Sequence, residues 1–159
     1  MPLRPLVLAL LLSLGAPLLD AAPPAPAEFL GWDIGERFTP HHRIVEYFEA
    51  LAAARPDRIS LVRFGETWER RPLIYAVITS AANRGKLEEI RQSVGSMSDP
   101  RRTSRTEAER IASETPAVVW LAFGVHGDES SSAEAAMMVA SRLMRDDAEV
   151  RAILERTVV

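Results

Sequence analysis

The sequence predicts an α/β fold whose sheet is at least partly parallel, and three observations predict it. Two β-rich runs, ISLVRFGET and RPLIYAVIT, follow one another closely. A third run, AVVWLAF at 117–123, is apolar throughout, as is typical of a central strand covered on both faces by helices. Segments with apolar residues at helical spacing surround these runs, so strands and helices alternate along the chain.

The first predicted element is a helix that begins near Thr39. Thr39 is a good N-cap and Pro40 suits the first helical position. Apolar residues then recur at helical spacing until Pro56, before which the helix should end. The two β-rich runs come next, and the turn at 65–71 between them predicts a hairpin or two neighbouring strands.

Four more helices are predicted in the second half of the chain. Two of them begin at S-x-x-E capping boxes, formed by Ser104 with Glu107 and by Ser131 with Glu134. The four segments are 83–94, 104–112, the stretch AAMMVASRLM after the second box, and 148–154. The last four residues, RTVV, are predicted to begin another strand.

The N-terminus has the layout of a secretory signal peptide, with a basic start and an apolar run over 6–19. That run is too short for a membrane span, which needs about 20 apolar residues. We expect cleavage after Ala27, because a cut after Ala22 would put Pro23 next to the scissile bond. An uncleaved N-terminal anchor is the alternative. Export to the periplasm or the medium is therefore predicted, with no stable membrane span once the signal is removed.

The composition excludes several functions. The chain contains no cysteine, so it has no disulfide, thiolate nucleophile or thiolate metal ligand. Net charge is −3 with acids and bases interspersed, and such a surface does not predict a nucleic-acid partner. The one basic cluster, 100–105, is interpreted as a solvated loop. The serines at 130–132 are not in a G-x-S-x-G elbow, so a serine hydrolase is not favoured.

The segment HGDES contains the candidate metal ligands His126 and Glu129. Imidazole and carboxylate groups bind zinc, and Gly127 between them should let the chain turn. A zinc ion held there would lower the pKa of a bound water. The spacing alone is a weak signal, because an acid ahead of a helix also suits the helix macrodipole. The position at the carboxyl end of a predicted buried strand favours a metal site.

Two motifs in this order resemble the N-terminal part of the M14 family of zinc metallocarboxypeptidases, over about 38–159. The first is the turn GETWERRP at 65–72, with Arg70 where glycine is usual, and the second is the strand that ends in His126 and Glu129. The resemblance implies a mixed, partly parallel sheet sandwiched by helices. It also implies that these two residues are the first two zinc ligands, and that zinc-activated water hydrolyses C-terminal peptide bonds.

The same resemblance implies a third zinc ligand and a general base that cannot be assigned in this sequence. In the family a third ligand, a histidine, and a glutamate general base lie far downstream, and no histidine follows His126 here. We therefore expect a signal peptide and Pro/Ala segment at 1–27, an incomplete M14-like domain at 28–159, and no catalytic base within the chain. Asp128 stands where digestive members have arginine. The alternatives to peptide hydrolysis are a zinc-dependent deacylase of small amides and an inactive exported fragment or binding module.

Overall fold

The computed structural model describes residues 23–159, which form a mixed α/β fold. The predicted signal segment up to residue 22 lies outside the described residues. Within 23–159, every helix is too short or too polar to cross a membrane. The helices are α1 (Pro26–Leu30), α2 (His41–Ala54), α3 (Ala81–Arg84), α4 (Leu87–Met97), α5 (Arg105–Glu114), α6 (Ser130–Leu143) and α7 (Ala148–Arg156); the strands are β1 (Ile59–Glu66), β2 (Pro72–Ile78), β3 (Ala117–Val118) and β4 (Thr157–Val158).

The two β-rich runs form the antiparallel hairpin β1–β2, which confirms the prediction from their composition. Ile59 lies opposite Ile78, and a bulge interrupts the register between Arg63 and Gly65. Branched and aromatic residues fit the pleated surface of such a pair. Helix α2 ends at Ala54, before Pro56, as predicted.

Strand β4 joins the hairpin to β3. Ile78 and Val159 exchange both backbone hydrogen bonds, at 2.7 and 2.9 Å, which is the pattern of an antiparallel pair. On its other side β4 pairs with β3 in parallel, with Ala117 opposite Thr157. The described residues thus form two two-stranded sheets, β1–β2 and β3–β4, which the bonds between Ile78 and Val159 place side by side. The parallel pair is connected through α6 and α7. A mixed, partly parallel arrangement is what the sequence predicts.

The apolar core lies where α2 meets the hairpin and α6. Tyr47 and Leu51 of α2 are completely buried, and four residues apart they share one helix face. Burying a side chain of this size stabilises the fold by about 2 kcal/mol. Helix α1 contacts α2 and α6, and α7 contacts α6 and β4. Other buried members are Leu30, Ile59, Ile78, Met137, Met144, Val150 and Leu154.

The prediction of a buried strand over 117–123 is wrong. Only Ala117 and Val118 form a strand, and the side chains that follow are exposed: Trp120 by 73%, Leu121 by 46% and Phe123 by 39%. A continuous apolar run is buried only when neighbours cover both of its faces. Among residues 23–159, β4 is the strand beside it, and β4 has only two residues.

The predicted capping box of Ser131 and Glu134 does not form. The carboxylate of Glu134 instead accepts hydrogen bonds from the Thr39 hydroxyl at 2.6 Å and from the Gly35 N–H at 3.0 Å. The prediction of Thr39 as the N-cap of α2 is also wrong, because Pro40 occupies that position. The sequence predicted that Thr39 and Glu134 each cap a nearby helix. In the fold they bond to each other and connect α6 to the segment that precedes α2.

Candidate metal centre

His126 and Glu129 lie on the loop at 124–129 that leads into α6. The N–H of Glu129 donates a hydrogen bond to the carbonyl oxygen of His126, at 3.3 Å. The backbone thus closes a tight turn between the two predicted ligands. Both residues are exposed, and so is Asp128 between them. The structure therefore places the pair on one accessible turn, on the amino-terminal side of a fourteen-residue helix.

Ser132, in the first turn of α6, holds this loop in place. Its hydroxyl accepts a hydrogen bond from the Gly124 N–H at 3.0 Å and donates one to the Glu129 carbonyl at 2.8 Å. Both ends of the loop are thereby attached to the helix. The sequence prediction gave Ser132 no role, although serine hydroxyls near helix starts commonly bond to nearby backbone groups.

The backbone freedom of glycine is needed at Gly124 rather than at Gly127. Gly124 has a φ of 70°, in the left-handed region that residues with a Cβ rarely adopt. Gly127 has no such φ, and a Cβ built there meets nothing within 4 Å. The expectation that the turn needs glycine at position 127 is therefore wrong, and the residue of the loop that needs glycine is Gly124, at its start.

The bonds that hold the loop use backbone atoms and the Ser132 hydroxyl, so the imidazole of His126 and the carboxylate of Glu129 take no part in them. One nitrogen and one oxygen donor suit zinc, but catalytic zinc sites have three protein ligands and one open position. Within 23–159 no three His, Asp or Glu side chains converge on a common point. The other histidines lie on α2, where the His41 ring contacts the Pro72 carbonyl at 2.9 Å. The loop thus brings together two candidate ligands, and residues 23–159 supply no third beside them.

Comparison with known families identifies the fold to which this loop belongs. A family model described as zinc carboxypeptidase matches residues 44–159. The match begins within α2 and includes the hairpin, β3, and the loop with His126 and Glu129. The chain belongs to the zinc carboxypeptidase family. The resemblance drawn from the two motifs is thereby confirmed. No curated protein and no solved structure matches this chain.

The hairpin turn at 65–72 explains the glycine in the family motif. Arg70 stands at that position and has a φ of 60°, the left-handed conformation that glycine adopts most easily. Thr67 fixes the turn, because its carbonyl accepts from the Arg70 N–H at 2.9 Å and its hydroxyl from the Arg71 N–H at 3.1 Å. Arg70 thus adopts, with a Cβ, a conformation that glycine would adopt more easily.

Aromatic side chains of the β1–β2 hairpin and of the apolar run at 117–123 lie close together. The rings of Phe64 and Tyr75 are 5.9 Å apart, and those of Tyr75 and Trp120 are 6.3 Å apart. Phe64 is exposed by 61%. These contacts bring Trp120, in the apolar run that precedes the loop at 124–129, against the hairpin.

Proposed function

We propose that His126 and Glu129 are two ligands of the zinc site of an exported carboxypeptidase that hydrolyses C-terminal peptide bonds. The observation that carries this proposal is the family match, which includes the loop with both residues. The accessibility of both side chains on one closed turn supports it. A zinc ion held there would supply an activated water and polarise the substrate carbonyl.

The same proposal places the third ligand and the general base outside residues 23–159. Two ligands of three leave the coordination of a catalytic zinc incomplete. We therefore expect the 159-residue chain to bind zinc weakly and to hydrolyse peptides slowly or not at all. Export belongs to the proposal as well, and it rests on the N-terminal sequence pattern.

A calorimetric titration of the chain with zinc tests the ligand assignment. Zinc affinity should fall below detection in His126→Ala and in Glu129→Gln, because each substitution removes one of two ligands. His42→Ala is the matched control, since it removes an exposed imidazole from α2 and should leave zinc binding unchanged. Equal zinc affinity in His126→Ala, His42→Ala and the unmodified chain would overturn the assignment.

A second candidate function, deacylation of small amides, is favoured by Asp128. Its carboxyl group takes a position next to Glu129 where the family resemblance leads one to expect arginine, so a positive charge that could attract a peptide carboxylate is missing. Assays of an active, zinc-loaded protein with peptides and with N-acylated amino acids would separate the two activities. Higher kcat/KM on the small amides would favour the deacylase. Hydrolysis of neither substrate, together with no zinc binding, would favour an inactive binding module.

A further inference from the structure

The segment 118–125, which runs from the end of β3 into the loop at 124–129, is exposed along its whole length. Its large apolar side chains are exposed by 39% to 73%; they are Val118, Val119, Trp120, Leu121, Phe123 and Val125. The Tyr75 ring contacts the rings of Trp120 and Phe64. Aromatic side chains present roughly 150 to 250 Å² each, so Trp120 and Phe64 alone expose on the order of 300 Å². Monomeric proteins rarely expose a larger contiguous apolar patch, so the segment marks an interaction surface.

The backbone of this segment is unpaired as well. Val119 donates its N–H to the carbonyl of Val158 at 2.8 Å. Beyond that bond, and within 23–159, the N–H and carbonyl groups of 120–123 take part in no backbone hydrogen bond. No turn or bend interrupts 119–124. An extended run with a free row of backbone donors and acceptors is a template for another strand, so the chemistry of this surface fits an extended strand.

The free edge of the segment is formed by the backbone groups of Trp120 and Ala122. Successive residues of an extended strand turn their N–H groups to opposite edges, and Val119 turns its N–H toward β4. In an antiparallel pair of two such segments centred on Leu121, Trp120 of one copy lies opposite Ala122 of the other. These two residues then exchange both backbone bonds, and a large side chain lies beside a small one. Val119 lies opposite Phe123, a favourable pairing of a β-branched with an aromatic residue.

The charge of the segment also permits contact between two copies. No Asp, Glu, Lys or Arg lies between Glu114 and Asp128. Two chains of net charge −3 can therefore meet there without placing like charges opposite each other, which would destabilise the pair. Because each copy contributes the same residues, the contact is two-fold and closes with two chains.

We propose that two copies of this chain associate as a two-fold dimer in which residues 119–123 pair as antiparallel strands. The pairing satisfies the free backbone groups of Trp120 and Ala122 and covers the apolar side chains around them. Since the paired strands run in opposite directions, the two loops at 124–129 lie at opposite ends of the pair. The dimer therefore leaves both loops accessible, and the proposal does not depend on the assignment of the zinc ligands.

Sedimentation velocity of the full 159-residue chain tests the association. The unmodified chain should sediment with twice the monomer mass, and the dimer fraction should rise with protein concentration. Leu121→Lys should abolish the dimer, because it places two ammonium groups directly opposite each other. Its circular dichroism should be unchanged, since Leu121 is exposed. Met138→Lys is the matched control, because Met138 is an exposed apolar residue on α6, and this variant should remain a dimer.

A single cysteine tests the register, because the chain contains none. In the proposed pair the Cα atoms of the two residues at 121 are about 4.5 Å apart, within the range of a disulfide. Leu121→Cys should therefore form a covalent dimer in air, with dioxygen oxidising the two thiols. Val125→Cys is the control, because Val125 is more exposed than Leu121 but its two copies would lie roughly 27 Å apart. It should not cross-link.

Each failure has its own result. A chain that stays monomeric at every concentration would overturn the proposal and leave the free edge to a strand of another protein. Association that survives Leu121→Lys would place the contact elsewhere, for example in the apolar run at 6–19, and would overturn it too. Open-ended polymers, or equal cross-linking of the two cysteine variants, would rule out the two-fold pairing centred on Leu121.

Discussion

The hydroxyl of Thr39 donates a 2.6 Å hydrogen bond to the carboxylate of Glu134, and both residues are buried. They are 95 positions apart in the chain, so this bond joins the segment just ahead of α2 to α6. Because α6 also carries Ser132, which holds the loop of the candidate zinc ligands, the segment ahead of α2 and this loop both depend on the position of the same helix.

Glu134→Ala should lower the free energy of unfolding by about 2 to 3 kcal/mol, because it leaves the Thr39 hydroxyl and the Gly35 N–H without their acceptor. Urea unfolding followed by circular dichroism measures the change. Glu155→Ala is the control, since Glu155 is an exposed glutamate on α7 and surface substitutions usually change stability by less than about 0.5 kcal/mol. Equal losses in both variants would contradict a role for the buried carboxylate.

Arg70→Gly should stabilise the protein by about 0.5 kcal/mol. A left-handed residue with a Cβ costs roughly 1 to 2 kcal/mol, and the greater entropy of unfolded glycine offsets about 0.5 to 1 kcal/mol of the gain. Arg71→Gly, at the neighbouring exposed position without a left-handed φ, should destabilise instead. Thermal unfolding of both variants gives the sign, and a loss of stability in Arg70→Gly would show that the turn is not strained.

How much could be predicted from the sequence depends on how local the interaction is. The hairpin follows from two neighbouring runs, and Ser104 caps α5 by accepting from the Glu107 N–H three residues away, as predicted. The role of Glu134 depends on a partner 95 positions away, so the nearby Ser131 suggested a capping box instead. The prediction of a buried strand over 117–123 failed for the same reason. An apolar run shows that a strand could be buried, but it does not show which elements cover it.

Asp146→Asn should lower stability near neutral pH and have less effect in acid. Hydrogen bonding to Arg58, followed by the charges of Arg55 and Arg58, lowers the pKa of Asp146 in the folded state. A lowered pKa contributes stability that is complete above the unfolded value, about 3.9, and is lost as the pH falls through the folded value.

The measurement is urea unfolding of the unmodified chain and of Asp146→Asn at about pH 7 and about pH 3. The difference between the two proteins should shrink at the lower pH, because the carboxylate of the unmodified chain becomes increasingly protonated there. Since Asp146 is 64% exposed, solvent screening keeps the effect small. An equal difference at both pH values would assign the effect of the substitution to something other than this ion pair.

Ser132→Ala should weaken zinc binding by about 10-fold, because groups that orient metal ligands commonly contribute that much to affinity. The substitution removes the bonds to Gly124 and Glu129 and lets the loop move relative to α6. Ser131→Ala is the matched control, an exposed serine one position away. Ser132→Thr keeps the hydroxyl and should restore most of the affinity. A zinc titration of the three variants gives the comparison. If Ser132→Ala and Ser131→Ala bound zinc equally well, the loop would hold its ligands without the help of Ser132.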